Sequence, residues 1–159
     1  MKKSVTLFAL FAVALLAVAT RAQAAAPDLS GDWKMNLAKS DYGPMPQVPE
    51  VMTRKIAHAD PSLAYTTYSK GPQGEITSDV KYTTDGKVCV NKLPQGEAKG
   101  TAKWDGDNLV IESTRDVQGT EIKSKETWAL SEGGKVLTVN NHITVPQGEF
   151  DIKLVFEKQ

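Results

Sequence analysis

The feature that most constrains the fold is a series of tight turns between residues 71 and 158. Two kinds of turn alternate strictly along this stretch, one built on Gln-Gly and the other on Asp-Gly or Gly-Gly. Proline and glycine supply the backbone angles that such turns need. In order, the turns are Pro72-Gln73-Gly74, Asp85-Gly86, Pro94-Gln95-Gly96, Asp105-Gly106, Gln118-Gly119, Gly133-Gly134 and Pro146-Gln147-Gly148. The alternation predicts an up-and-down β-meander, with successive turns at opposite ends that we call the Gln-Gly rim and the Asp-Gly rim.

About ten strands of ordinary length fit between these turns. The first strand is predicted at residues 29–36, and a proline-rich loop at 36–50 would then cover one mouth of the sheet. The other strands are predicted at 51–58, 62–69, 75–83, 87–93, 97–104, 109–116, 121–130, 136–145 and 150–157. Asp60-Pro61 forms the first hairpin turn and belongs to the Asp-Gly rim.

A meander of this length must bury one face and protect two edges from pairing with other chains. Closure into a barrel solves both problems, whereas an open sheet is the alternative. The sequence therefore predicts an all-β fold, a single up-and-down antiparallel meander of about ten strands closed into a β-barrel.

Side chains alternate between the two faces of a strand, and this alternation gives the barrel a partly polar interior. Burying polar groups without partners costs a few kcal/mol each, and more when they are charged. Two interpretations stay open: a structural network of mutually satisfied charges, or an anion-holding arginine with an orienting glutamate in a mostly apolar cup. The candidate ligand-binding residues are Arg54, Tyr65, Tyr82, Arg115, Glu126 and Asn141.

The N-terminal residues predict export. Lys2 and Lys3 precede an apolar run at residues 5–19, and Ala22-Gln23-Ala24 forms a small-x-small cleavage site. This pattern is typical of a secretory signal peptide and not of a membrane span. We therefore predict a cleaved signal peptide at 1–24 and one barrel domain at 25–159, periplasmic or secreted, with no membrane span after cleavage. Cleavage leaves 16 basic and 19 acidic residues, a net charge of −3.

Composition and motifs argue against several functional classes. Nothing in the balanced charge of the whole chain points to nucleic acid. The single cysteine, Cys89, excludes an intramolecular disulfide, and we expect a monomer. His58 and His142 lie on distant strands, so we predict neither a metal site nor a cofactor. Catalysis would need a nucleophile with a base or two inward carboxylates. Of the acidic residues, alternation places only Glu126 on the inward face, so we predict no enzyme.

Three short motifs resemble the calycins, the superfamily of lipocalins and fatty-acid-binding proteins. Gly31-Asp32-Trp33 resembles the Gly-x-Trp that opens their first strand, Lys103-Trp104-Asp105-Gly106 a turn, and Phe156-Glu157-Lys158 their closing strand. The chain as a whole resembles small exported bacterial lipocalin-like proteins. The resemblance implies a calycin-like barrel whose closed end is sealed by Gly31 and Trp33. The arginine and tyrosine that hold a carboxylate in fatty-acid-binding proteins are replaced here by Leu154 and Phe156.

These patterns favour an exported, non-catalytic protein that binds a small hydrophobic or amphipathic molecule inside the barrel, with an anionic group preferred. The alternative is a barrel with a filled core that acts through its surface as an envelope-stress, inhibitor or protein-interaction module. Cavity size separates the two hypotheses. A carrier would leave a cavity of several hundred Å³, and a filled core would leave none large enough for a ligand.

Overall fold

A computed structural model describes residues 26–45, 48–72 and 74–159 of the chain, and the predicted signal peptide lies outside them. Ten antiparallel strands form one sheet, so the predicted strand number is confirmed. The strands are β1 (Gly31–Met35), β2 (Val51–Ala59), β3 (Ser62–Gly71), β4 (Gly74–Thr83), β5 (Cys89–Leu93), β6 (Gly96–Asp105), β7 (Asn108–Val117), β8 (Thr120–Ser131), β9 (Val136–Val145) and β10 (Gly148–Lys158).

The strand order is β4-β3-β2-β1-β10-β9-β8-β7-β6-β5, so the first and last strands of the chain pair with each other. This pairing wraps the meander into the predicted up-and-down barrel. The Gln-Gly and Asp-Gly turns fall at opposite ends, as the alternation of turns predicts. Among the described residues no ladder joins β4 to β5, which makes the barrel nearly closed, with one seam.

The half of the barrel beside the Asp-Gly rim is tightly packed. Full burial of one large apolar side chain stabilises a fold by about 1.5–3 kcal/mol. Its fully buried large side chains are Leu29, Trp33, Leu63, Leu109, Trp128, Leu137, Val139 and Phe156. The Trp33 indole N–H donates to the carbonyl oxygen of Leu29 at 3.0 Å. Leu29 lies two residues before Gly31, the first residue of β1. The role of Gly31 and Trp33 as a seal stays a prediction.

The loop after β1 begins with a 3-10 turn at Leu37–Lys39 and then runs beside β10. Asp41 and Lys153 exchange two backbone hydrogen bonds of 2.7 Å, and Ser40 Oγ accepts from the Val155 N–H at 3.0 Å. Gly43 has φ +52°, and a Cβ there would lie 2.6 Å from the Asp151 carbonyl oxygen, so this close approach requires glycine. Beyond the end of β1, the loop thus takes over the pairing with β10, and it lies over the mouth at the Gln-Gly rim.

Candidate ligand-binding cavity

A cavity of about 160 Å³ lies inside the barrel, between the packed half and the Gln-Gly rim. Its walls combine apolar side chains such as Val80 and Ile111 with polar ones that reach in from six strands. Five of the six candidate residues line it: Tyr65 (β3), Tyr82 (β4), Arg115 (β7), Glu126 (β8) and Asn141 (β9). Strand alternation therefore brings these side chains together, although their binding role stays a prediction.

Two hydrogen bonds orient the polar wall formed by β8 and β9. The Trp128 indole N–H donates to Glu126 Oε2 at 2.7 Å, which fixes the carboxylate against the packed half. Ser124 Oγ donates to Asn141 Oδ1, also at 2.7 Å. Glu126 and Asn141 are directly opposite each other in the β8–β9 ladder. The wall thus presents a carboxylate and an amide side by side.

Arg54, the sixth candidate, does not line the cavity but lies in a cage of aromatic rings. Its guanidinium carbon is 4.7 Å from the centre of the Trp128 ring, 4.9 Å from Tyr65 and 5.1 Å from Phe156. Desolvated contacts of this kind contribute about 2 kcal/mol. Both Tyr65 and Trp128 contact Arg54. Tyr65 also lines the cavity, and Trp128 also donates to the cavity residue Glu126, so the guanidinium lies immediately beside the cavity.

The hydrogen bonding of Arg54 is incomplete. Its side chain is only 8% exposed, and Nε donates to Thr67 Oγ1 at 3.1 Å. Nη1 is buried and has no hydrogen-bond partner among the described residues. In the same part of the chain no carboxylate lies within 4.0 Å of Arg54 or Arg115. No direct ion pair therefore joins Glu126 to either arginine among the described residues, and the choice between a structural cluster and a ligand site stays open.

The two cavity tyrosines remain neutral hydrogen-bonding groups over a wide pH range. Burial, with a smaller contribution from the nearby Glu126 carboxylate, raises the pKa of Tyr82 to about 12. Burial and Glu126 also raise the pKa of Tyr65 well above its usual value, while Arg54 opposes the shift. Both phenols therefore offer a donor and an acceptor to a ligand at physiological pH.

Asn91 also lines the cavity and was missed by the sequence analysis, because residues 87–93 show no decisive alternation. Its side chain is 6% exposed and makes two hydrogen bonds to the backbone of Lys81, one from N–H (2.7 Å) and one to C=O (3.1 Å). A usable signal was present. The tight turn between β5 and β6 places Asn91 opposite Ala98, and Ala98 alternates along β6 with the outward-facing Lys99.

A second, mostly apolar space of about 240 Å³ lies at the mouth on the Gln-Gly rim. It lies between the loop after β1 and parts of β2, β3, β4 and β10. Its apolar lining includes Tyr42, Met45, Val48, Met52, Ile76, Ile152 and Leu154. Ile152 is directly opposite Asn141 in the β9–β10 ladder, so the groove adjoins the polar wall of the cavity.

Two searches of the described residues bear on other functional classes. No group of three or more His, Cys, Asp or Glu side chains there is placed to hold a metal ion. No helix within those residues is long and apolar enough to cross a membrane.

No protein-family model matches the chain, and a search of curated proteins finds no match either. Solved structures do match. A secretory abundant heat soluble protein from Ramazzottius varieornatus is 17% identical, with 82% of this chain and 94% of that chain covered and a TM-score of 0.58. The REP1-NXSQ fatty acid transporter is 15% identical, with 83% and 96% covered and a TM-score of 0.57. Zebrafish ileal bile acid-binding protein, complexed with cholic acid, is 17% identical, with 82% and 98% covered and a TM-score of 0.57.

Identities this low concern the fold and not the activity. None of these structures bears on the resemblance to small exported bacterial proteins, which stays a prediction. The barrel closed through β1 and β10, together with these matches over most of the chain, confirms that the protein has a calycin-like fold.

Proposed function

We propose that the protein is an exported, monomeric, non-catalytic binding protein that holds a small, partly apolar molecule inside the barrel. The observation that carries this proposal is the convergence of polar side chains from six strands on one cavity. A few convergent polar groups in an otherwise apolar hollow are typical of a ligand site.

The charges favour an anionic ligand. Arg115 reaches the cavity itself, and Arg54 lies beside it without a carboxylate partner among the described residues. Among the residues that the structure describes, Glu126 is the only acidic one that lines the same space. Burial of a cation without a partner is unfavourable, and a ligand anion near the two arginines would offset that cost.

The size of the two spaces suggests how such a ligand would lie. A cavity of about 150 Å³ accommodates a benzene molecule, so the inner cavity has room for a ring-sized polar group. A longer apolar part would extend into the groove at the mouth. The fatty acid named for one structural neighbour and the cholic acid bound to another are both amphipathic anions, which supports the same ligand class.

One observation favours the alternative, a barrel that acts through its surface. The inner cavity is smaller than the several hundred Å³ expected of a carrier, so a ligand must use the groove as well. If the groove stays empty, the protein would be an envelope-stress, inhibitor or protein-interaction module.

Native mass spectrometry of the mature protein, purified without detergent from its own exporting host, tests the proposal. The expected result is an adduct of a few hundred daltons that is lost in denaturing solvent. The mature mass also tests cleavage after Ala24. A clean apo mass would favour the surface-acting alternative instead.

A further inference from the structure

The carboxylate of Glu126 is only half satisfied by the protein. Its Oε2 accepts the Trp128 indole N–H at 2.7 Å, and no other hydrogen bond to this side chain is formed among the described residues. A carboxylate accepts hydrogen bonds on both oxygens and donates none. Because Glu126 lines the cavity and is half-buried, its second oxygen is left for whatever occupies the cavity.

Two neighbouring donors of the cavity wall are engaged elsewhere. The Ser124 hydroxyl donates to Asn141 Oδ1 at 2.7 Å, and the Asn91 amide donates to the Lys81 carbonyl oxygen at 3.1 Å. Neither group can turn to Glu126 without breaking the bond that it already makes. In this arrangement the second Glu126 oxygen takes its partner from water or from a ligand.

The occupant of the cavity decides whether this acceptor stays paired. Water can pair with it when no ligand is bound, because a polar cavity of this size holds water. A ligand that fills the cavity displaces the water, and a buried carboxylate oxygen left without a donor is strongly unfavourable. A ligand that brings its own donor avoids this cost. Sites built in this way reject analogues that lack the matching hydrogen-bonding group.

Arg115 and Glu126 lie at different depths of the same cavity. Arg115 is two residues from Val117, which ends β7 at the Gln-Gly rim. Glu126 is opposite Ile111, four residues deeper along β7, and is bound to Trp128 of the packed half. Because the cavity has a volume of only about 160 Å³, both charges face one ring-sized group. The cavity thus offers a cation towards the rim and an anion at its inner end.

Arg54 supports the same arrangement from beside the cavity. Its guanidinium carbon lies 4.7 Å from the centre of the Trp128 ring, and the Trp128 indole N–H holds Glu126. A positive charge against this ring weakens the repulsion between the Glu126 carboxylate and a ligand anion. Arg54 therefore helps an anion to bind in a cavity that also contains a carboxylate.

We propose that the polar head of the ligand carries a hydrogen-bond donor, a hydroxyl or an amino group, close to its anionic group, and that Glu126 selects for this donor. The donor bonds to Glu126 at the inner end, the anion lies at Arg115, and the apolar part extends into the groove at the mouth. The inference rests on the proposed function, since it assumes that the cavity holds a ligand. It excludes an unsubstituted fatty acid as the preferred ligand.

A set of acids with the same chain tests the selection: dodecanoate, 3-hydroxydodecanoate and 3-aminododecanoate. Isothermal titration calorimetry of the mature protein measures their affinities. Both substituted acids should bind at least about tenfold more tightly than dodecanoate, because only they bring a donor to Glu126. Equal affinities, a preference for dodecanoate, or no binding of any of these acids would overturn the inference.

Glu126→Gln tests whether this residue makes the selection. Glutamine keeps the shape of the side chain, and its amide oxygen can still accept the Trp128 N–H, so that its NH2 group faces the cavity. The ammonium group of 3-aminododecanoate has only donors, so this acid should lose at least about tenfold in affinity. Dodecanoate should bind equally well or better, because the repulsion by the carboxylate is gone. An equal loss for both acids would show that Glu126 does not select the donor.

Glu112→Gln is the matched control, because Glu112 follows Ile111 on β7 and is exposed on the outer face. It removes the same charge without touching the cavity, so every affinity should stay within about twofold of the wild type. The ranking of the acids on the wild type decides the inference even if Glu126→Gln does not fold. The adduct in native mass spectra decides the proposed function separately. An adduct together with equal affinities for the acids would overturn this inference alone.

Discussion

The two halves of the barrel are formed by the same strands and the same alternation of side chains, yet they have opposite characters. Beside the Asp-Gly rim, inward positions are large and apolar, and Trp33, Trp128 and Phe156 are fully buried. Beside the Gln-Gly rim, inward positions of the same strands carry Arg115, Glu126 and other polar groups around a cavity. One half is built for stability and the other half carries the candidate site.

Arg54 marks the boundary between these halves. Three aromatic rings of the packed half surround its guanidinium, while Tyr65 also belongs to the wall of the cavity. A rigid aromatic floor thus holds a buried charge beside the cavity, with no carboxylate partner among the described residues. We expect substitutions in the two halves to separate stability from binding.

The largest expected effect is on stability in the packed half. Leu137→Ala should lower the free energy of unfolding by about 3 kcal/mol, because this fully buried side chain leaves an empty space behind. Ile143→Ala, on the same strand but at the cavity, should cost less than about half as much, since its side chain already borders free volume. Equilibrium unfolding in urea measures both, and equal losses would contradict the division into two halves.

The next effect is on binding at the boundary. Arg54→Met should lower ligand occupancy at least about tenfold, because the charge beside the cavity is lost. Its free energy of unfolding should change by less than about 1 kcal/mol, since methionine packs against the three rings and removes a buried charge. The adduct fraction in native mass spectra and urea unfolding report the two quantities. Lys55→Met is the control, because Lys55 is the next residue on β2 and its side chain is exposed on the outer face.

A large loss of stability in Arg54→Met with unchanged ligand occupancy would show that Arg54 is purely structural. The same experiment on Arg54→Ala should also weaken binding more than it lowers the melting temperature. Either variant therefore decides whether the boundary arginine belongs to the site.

A smaller effect should appear at alkaline pH. Because the pKa of Tyr82 in the folded protein is raised to about 12, its contribution to stability is complete below the unfolded value near 10 and is lost as the pH rises towards 12. Tyr82→Phe should flatten the decline of unfolding free energy across this interval. Phenolate absorbance provides a direct check, and a wild-type titration in which every tyrosine ionises near pH 10 would contradict the buried cavity wall.

The smallest effect is expected on the outer surface, away from both halves of the interior. His142 lies 2.8 Å from an Asp151 oxygen and 3.3 Å from a Glu149 oxygen, and the hydrogen bond to Asp151 raises its pKa. The stabilisation is present below the unfolded pKa of 6.5 and disappears as the pH rises through the folded value. His142→Gln should abolish this small pH dependence of the melting temperature, without any change in ligand occupancy.

Much of the fold could be predicted because turn chemistry and alternation are local signals. The positions of the turns predicted nearly every strand. The alternation of side chains along β3, β4, β7, β8 and β9 identified five residues that line the cavity. The aromatic cage of Arg54 could not be predicted, since its rings come from β3, β8 and β10 and meet only when the barrel closes. The seam was missed for a related reason: a side-chain amide that replaces a backbone rung leaves no periodic pattern.

The pairing of β1 with β10 has a consequence for the order of events as the chain is made. Trp33 is opposite Lys158, so the contacts that close the ring join the first and the last strand of the sheet. Closing so long a loop is entropically unfavourable and slow compared with forming the hairpins. Synthesis of the whole chain takes on the order of ten to thirty seconds, and β10 emerges last. Until β10 pairs with β1, the barrel cannot close, and the edge of β1 that faces β10 stays unpaired.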